Sequence, residues 1–77
     1  MHMENRMATH YYITWQPDCA EPGHYFLTHI ESDNPNMGIG QIMDAAFEIE
    51  ELDPSYGFEI GSILRVDGSG GPAVVLH

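Results

Sequence analysis

The stretch MGIGQIMDAAFEIEELD, residues 37–53, decides how the rest of this chain is read. It is the one segment with helical periodicity. Ile39, Ile42, Met43, Ala46 and Phe47 fall at i, i+3, i+4, i+7 and i+8, a single apolar stripe of period 3.6. Asp44, Glu48 and Glu51 recur at i, i+4 and i+7 on the other side, and Glu50 and Asp53 crowd the same end. That end is the helix C-terminus, where the macrodipole favours cations. Here it carries Glu48, Glu50, Glu51 and Asp53 and no Lys or Arg. Like charges at helical neighbour spacing each cost about 0.2–0.5 kcal/mol. The helix therefore either tolerates a local cost or uses it.

Working outward, Asn34-Pro35 suits an N-cap followed by N1, with Asn36 as the competing cap. Gly38 and Gly40 each weaken the first turn by up to about 1 kcal/mol relative to Ala, which moves the effective start toward Ile39. Pro54 disfavours the helical conformation at Asp53 and ends the helix there. Upstream, residues 9–15 read as a strand in which Tyr11, Ile13 and Trp15 alternate with Tyr12 and Thr14. Residues 16–23 are a loop with a Pro22-Gly23 turn. Residues 24–31 form a second strand, apolar on both faces, as expected of a central strand, a covered one or an interface. Downstream, residues 58–66 form a third strand, with Phe58, Ile60, Leu64 and Val66 on one face and Glu59, Ile63 and Arg65 on the other. Residues 67–71, DGSGG, make a hairpin loop, and residues 72–76 a short edge strand led by Pro72.

The order is ββαββ. The expected fold class is α+β: a four-stranded antiparallel sheet of order 2-1-3-4 with one helix on one face. Residues 1–8 are read as a flexible N-terminal tail and 9–77 as a single domain. The helix stripe is expected to pack on Tyr11, Ile13, Trp15, Phe58, Ile60, Leu64 and Val66. Tyr12, Thr14 and Ile63 then occupy the open face.

Charge narrows the function. Twelve acids face two bases, a formal net charge of -10, with no lysine. Asp18, Glu21, Glu31, Asp33, Asp44, Glu48, Glu50, Glu51, Asp53 and Glu59 lie between Arg6 and Arg65 without one basic side chain among them. Direct nucleic-acid binding requires Lys and Arg to displace counterions from phosphates. Attachment to anionic membranes requires them too, so both are excluded. A folded domain of this charge favours basic partners and fast, salt-sensitive association. No apolar run approaches 18 residues, and the N-terminus has no signal-peptide core, so the expected location is the cytoplasm. The single Cys19 precludes an internal disulfide framework.

Catalytic chemistry finds no pattern. His10, His24 and His29, with Glu31 or Asp33, suggest a metal site, but zinc ligands usually come as close Cys/His pairs. His24 and His29, five apart on a strand, point to opposite faces. No Ser or Cys sits in a nucleophile motif, and the Gly38-Ile39-Gly40 triplet lacks the spacing and lysine of a phosphate loop. The expectation is a non-enzyme with no cofactor and no metal. An ordinary solvated helix face mixes charge signs, with Lys answering Glu at i+4; this one mixes none. The candidate partner-binding residues are Asp44, Glu48, Glu50, Glu51, Asp53 and Glu59, with Tyr12 and Tyr56 as surface aromatics able to anchor a charged interface.

In size, lysine-free acidity, the Asp44, Glu48, Glu51 stripe and the α+β order, the chain resembles the small acidic inhibitors of phages and mobile elements. Anti-CRISPR proteins are the best-known group of these. The resemblance implies a nucleic-acid mimic that occupies the basic surface of a nucleic-acid-binding protein or complex, such as a CRISPR effector, in the host cytoplasm, as monomer or homodimer. Two other readings stand beside it. One is a homo-oligomeric structural or accessory domain using the open sheet face. The other is a small metal-binding or enzymatic protein using His24, His29 and nearby acids.

Overall fold

A computed structural model describes residues 8–68 and 70–77. Of the expected tail, residues 1–7 lie outside the described residues. The alternating segment THYYITWQP forms the central strand β1 (Thr9–Pro17). It pairs antiparallel with β2 (Phe26–Ser32) on one side and β3 (Phe58–Asp67) on the other. β4 (Val74–Val75) closes the far edge through Leu64↔Val75 and Arg65↔Val74, giving the order β2-β1-β3-β4. The helix α1 (Ile39–Ile49) crosses from β2 to β3, so β2 and β3 run in the same direction on either side of β1. The fold is α+β, in the order ββαββ, as the sequence predicts.

The core follows from β1. Tyr11, Ile13 and Trp15 are fully buried and meet Ile42, Met43, Ala46 and Phe47 of α1, with Ile30 of β2 and Ile63 of β3. Trp15 is the centre of an aromatic cluster, in edge-to-face contact with Phe26, Phe47 and Phe58 at centroid distances of 5.7, 4.8 and 6.4 Å. Such pairs add about 0.5–1.5 kcal/mol beyond their buried area.

Ile63 corrects the expected facing of β3. It is fully buried opposite Ile13, while Leu64 and Val66 lie opposite Tyr12 and His10 on the open face. The cause is a bulge. Thr14 pairs with Ser62 and Trp15 with Ile60, which leaves Gly61 without a partner. One extra residue reverses the parity of everything after it, so Phe58 and Ile60 keep the helix side and Leu64 and Val66 lose it.

The helix is shorter than residues 37–53 at both ends. At its start neither Asn34 nor Asn36 is the N-cap. Gly38 is, and Gln41 Oε1 accepts the Gly38 N–H at 2.9 Å. Asn34 Oδ1 is spent on the Asn36 N–H at 2.8 Å, building the turn before the helix. The buried Tyr11 hydroxyl holds that turn, donating to Asn34 O at 2.5 Å and accepting from Met37 N at 3.2 Å. At the other end α1 stops four residues before Asp53. Glu51 N donates to Glu48 O at 3.1 Å and Leu52 N to Phe47 O at 2.9 Å, with Glu51 at φ 59. These two bonds and one left-handed residue make a Schellman motif, a stop stronger than Pro54 and placed before it.

The strand limits differ too: β1 runs two residues past the expected 9–15, and β2 and β3 each end one residue later than expected. β2 begins at Phe26, because Glu21 to His24 form a turn in which His24 N donates to Glu21 O at 3.0 Å and Gly23 takes φ 85. Pro22 then Gly23 suits the type II turn, which needs a positive φ at its third residue. β2 is an edge strand rather than a central one, and its outward Leu27 is 75% exposed. β4 covers two residues of the expected five, although Leu76 N still donates to Ile63 O and Ile63 N to His77 O.

Candidate functional site

The carboxylates of the helix divide according to where the chain turns. Asp44 and Glu48 sit on the exposed side of α1, four residues and about 6 Å of rise apart. The Schellman turn then swings Glu51 onto the same surface. Together they rim a groove of about 570 Å³ whose remaining lining is Phe47, Leu52 and Pro54. Its floor is apolar because Leu52, the residue after the left-handed one, folds back against Phe47 and the core. The rim is anionic on every charged side chain it has.

Glu50 is apart from this group. It is half-buried, and its Oε2 accepts the Thr28 hydroxyl at 2.7 Å. Thr28 Oγ1 in turn accepts the Trp15 Nε1–H at 2.9 Å. Glu50 thus ends a polar chain, Trp15–Thr28–Glu50, that ties the helix C-terminus to β2 and β1. Glu48 and Glu51 face the groove; Glu50 faces the sheet. Asp53 is fully exposed, and its Oδ1 accepts the Ser55 N–H at 2.9 Å. That backbone hydrogen bond, helped by the Ser55 side chain, holds its carboxyl below the ordinary 3.8. Tyr56 is exposed on the same connection, its N–H donating to Asp53 O at 3.1 Å.

The two remaining candidates lie elsewhere. Glu59 pairs with Gln16, one residue out of step with Trp15↔Ile60, and is directed away from the helix side. Tyr12 stands on the open face of the sheet, opposite His29 and Leu64. Asp44, Glu48 and Glu51 are therefore brought together at the groove and Asp53 and Tyr56 adjoin it in sequence. Tyr12 and Glu59 belong to the other side.

Among the described residues, no Lys or Arg answers the rim. Arg65, the one Lys or Arg among the described residues, is opposite Tyr11, at the helix N-terminal end of the sheet. Its Nη1 donates to Pro35 O at 3.1 Å, and its Nε lies 4.0 Å from Asp67 Oδ1. The described residues are polarised along α1, with the Arg65 guanidinium near the start of the helix and the carboxylate groove near the end.

The open face carries what sequence reading missed. His10 Nδ1 and His29 Nε2 are 2.9 Å apart, and Tyr12 lies beside them with its ring 4.9 Å from that of His29. Nineteen residues separate the two histidines in sequence. The available signal was strand parity: His10 and Tyr12 share a face of β1, and in the β1–β2 hairpin that face meets His29. His24, the partner expected for His29, is in the turn before β2 and 3.6 Å from Glu21 Oε1. Cys19 is exposed in the loop after β1.

No protein-family profile, curated protein or solved structure matches the chain. No helix among the described residues is long and apolar enough to cross a membrane.

Proposed function

We propose that this protein is an acidic, non-catalytic inhibitor that presents the Asp44, Glu48 and Glu51 carboxylates to the basic groove of a nucleic-acid-binding protein, as anti-CRISPR proteins do. The observation that carries the proposal is the groove, three carboxylates around an apolar floor of Phe47, Leu52 and Pro54, with no Lys or Arg beside them among the described residues. An arginine or lysine laid into it places its aliphatic stem on the floor and its charged head among the carboxylates. Glu51 adds support of a different kind. Glycine is the usual occupant of its left-handed position, so a carboxylate there is kept at a conformational cost.

Affinity capture from a host lysate tests this. The wild-type chain should retain a basic nucleic-acid-binding protein at ~50 mM salt and release it at ~500 mM. The triple variant D44N/E48Q/E51Q should retain nothing while keeping its fold. Capture that is indifferent to salt, or unchanged in the triple variant, overturns the proposal.

A second reading, a homo-oligomeric accessory domain, has its own observation. Leu27 and Val75 of the open face are 75% and 70% exposed, with Tyr12 between their strands. Its obligate form predicts no lone protomer, so a clean monomer in sedimentation at ~100 μM discards it.

A further inference from the structure

The geometry points to a divalent transition-metal site on the open sheet face, of the class that takes Zn²⁺, with His10 Nδ1 and His29 Nε2 as its two protein ligands. Two nitrogens bonded to one Zn²⁺ at about 2.0–2.1 Å, at angles between square and tetrahedral, lie roughly 2.9–3.4 Å apart. The observed separation of 2.9 Å is at the square end of that range, about 0.4 Å short of a tetrahedral pair. In the hydrogen-bonded pair the near-coplanar rings aim their nitrogens at one another, so coordination requires both side chains to turn about χ1 and χ2 until the lone pairs converge on the ion, with the two strands left in place.

The scaffold favours this pivot. His10 faces Glu31 across the β1–β2 ladder, and His29 faces Tyr12, which makes the histidines diagonal neighbours on one face. Their rings are within 15° of parallel, and the Tyr12 ring is within 16° of that of His29, so the aromatic flank limits sideways motion. In the metal-free pair, one imidazole donates its N–H and the other accepts it. A metal replaces that single shared proton with two coordinate bonds. The net charge of -10 raises the local concentration of any cation. Among the described residues no third His, Cys, Asp or Glu side chain joins the pair, so water fills the other positions. A pair of imidazoles selects borderline-soft ions over Mg²⁺ and Ca²⁺, which prefer oxygen. The site lies on the opposite side of the sheet from the acidic groove and does not depend on the function proposed for that groove.

Calorimetric titration of the tag-free protein with Zn²⁺, in excess Mg²⁺ to occupy carboxylates, tests the assignment. The wild type should take up one Zn²⁺ per chain, with the ring resonances of His10 and His29 shifting together in NMR spectra. H10Q and H29Q should each weaken uptake roughly 100-fold, because the second ligand no longer acts at high effective concentration. H24Q, altered in the exposed turn, should match the wild type. All three positions are solvent-facing, and the NMR spectra report directly whether each variant is folded. No saturable uptake by the wild type, or uptake unchanged in H10Q or H29Q, overturns the proposal.

Discussion

A single residue shows how stability and recognition pull apart here. Glu51 closes the helix at φ 59, a conformation that costs an L side chain about 1–2 kcal/mol relative to glycine. Glycine gives back part of that saving through its freer unfolded state. E51G should therefore stabilise the protein by about 0.5–1 kcal/mol, read as a higher urea midpoint at unchanged slope. The same change removes one of the three carboxylates on the groove, so it should weaken capture of a basic partner. Glu50, one position earlier, behaves in the opposite way. Its carboxylate is engaged by Thr28, which also receives the Trp15 indole N–H. T28V deletes the atom both partners share and leaves the buried indole donor unpaired, a loss of about 1–3 kcal/mol measurable as a lower urea midpoint. Charge patterning alone places Glu48, Glu50 and Glu51 in one acidic end. Only the turn after Ile49 tells which of them looks outward, and helical periodicity stops applying at that turn.

The same limit appears at the scale of elements. The apolar stripe from Ile39 to Phe47 and the alternation from Tyr11 to Trp15 are strong periodic signals, and they give the helix and the first strand; the order of the sheet is one of a few that two hairpins and a crossover helix allow. β3 was harder because its period is broken inside it. Phe58, Ile60, Leu64 and Val66 look like one face when counted by twos, and Gly61 looks like an ordinary weak point. In the folded chain Gly61 is the bulge, and Ile63 takes the buried place opposite Ile13. A single sequence carries no mark of this except the glycine itself. The bulge also has little room. A Cβ on Gly61 would lie 3.1 Å from the Thr14 carbonyl oxygen and 3.4 Å from the Tyr25 ring. The ring can move aside, but the carbonyl belongs to the central strand and cannot without disturbing β1. G61A should therefore destabilise the protein by about 1–3 kcal/mol, the range for overpacking. The loss should come with disturbed amide resonances at Thr14 and Trp15, and retained stability would mean the bulge is able to open. The histidine pair is harder to read for a related reason, since strand parity gives its face but not its register. Nineteen residues and a hairpin separate its members, and only the register of β1 on β2 brings them together.

For the whole molecule, the principal extents of 48 × 23 × 18 Å set the range over which its charges interact. At ~10 mM salt the screening length is about 30 Å, so nearly every carboxylate feels the others; at ~500 mM it is about 4 Å, and only neighbours do. With ten more acids than bases, the folded chain repels itself, and added salt should raise its thermal midpoint. The two readings of its surface then divide by sign. Docking of the Asp44, Glu48, Glu51 groove on a basic partner is an attraction between opposite charges, which the same salt weakens. Pairing of two copies through Leu27, Tyr12 and Val75 brings like charges together, so screening strengthens it. Sedimentation and partner capture run in parallel across this salt range separate the two readings. A groove-binding inhibitor stays monomeric throughout and releases its partner as salt rises. A self-associating domain shifts toward dimer over the same interval, and that result would turn attention from the helix to the open sheet.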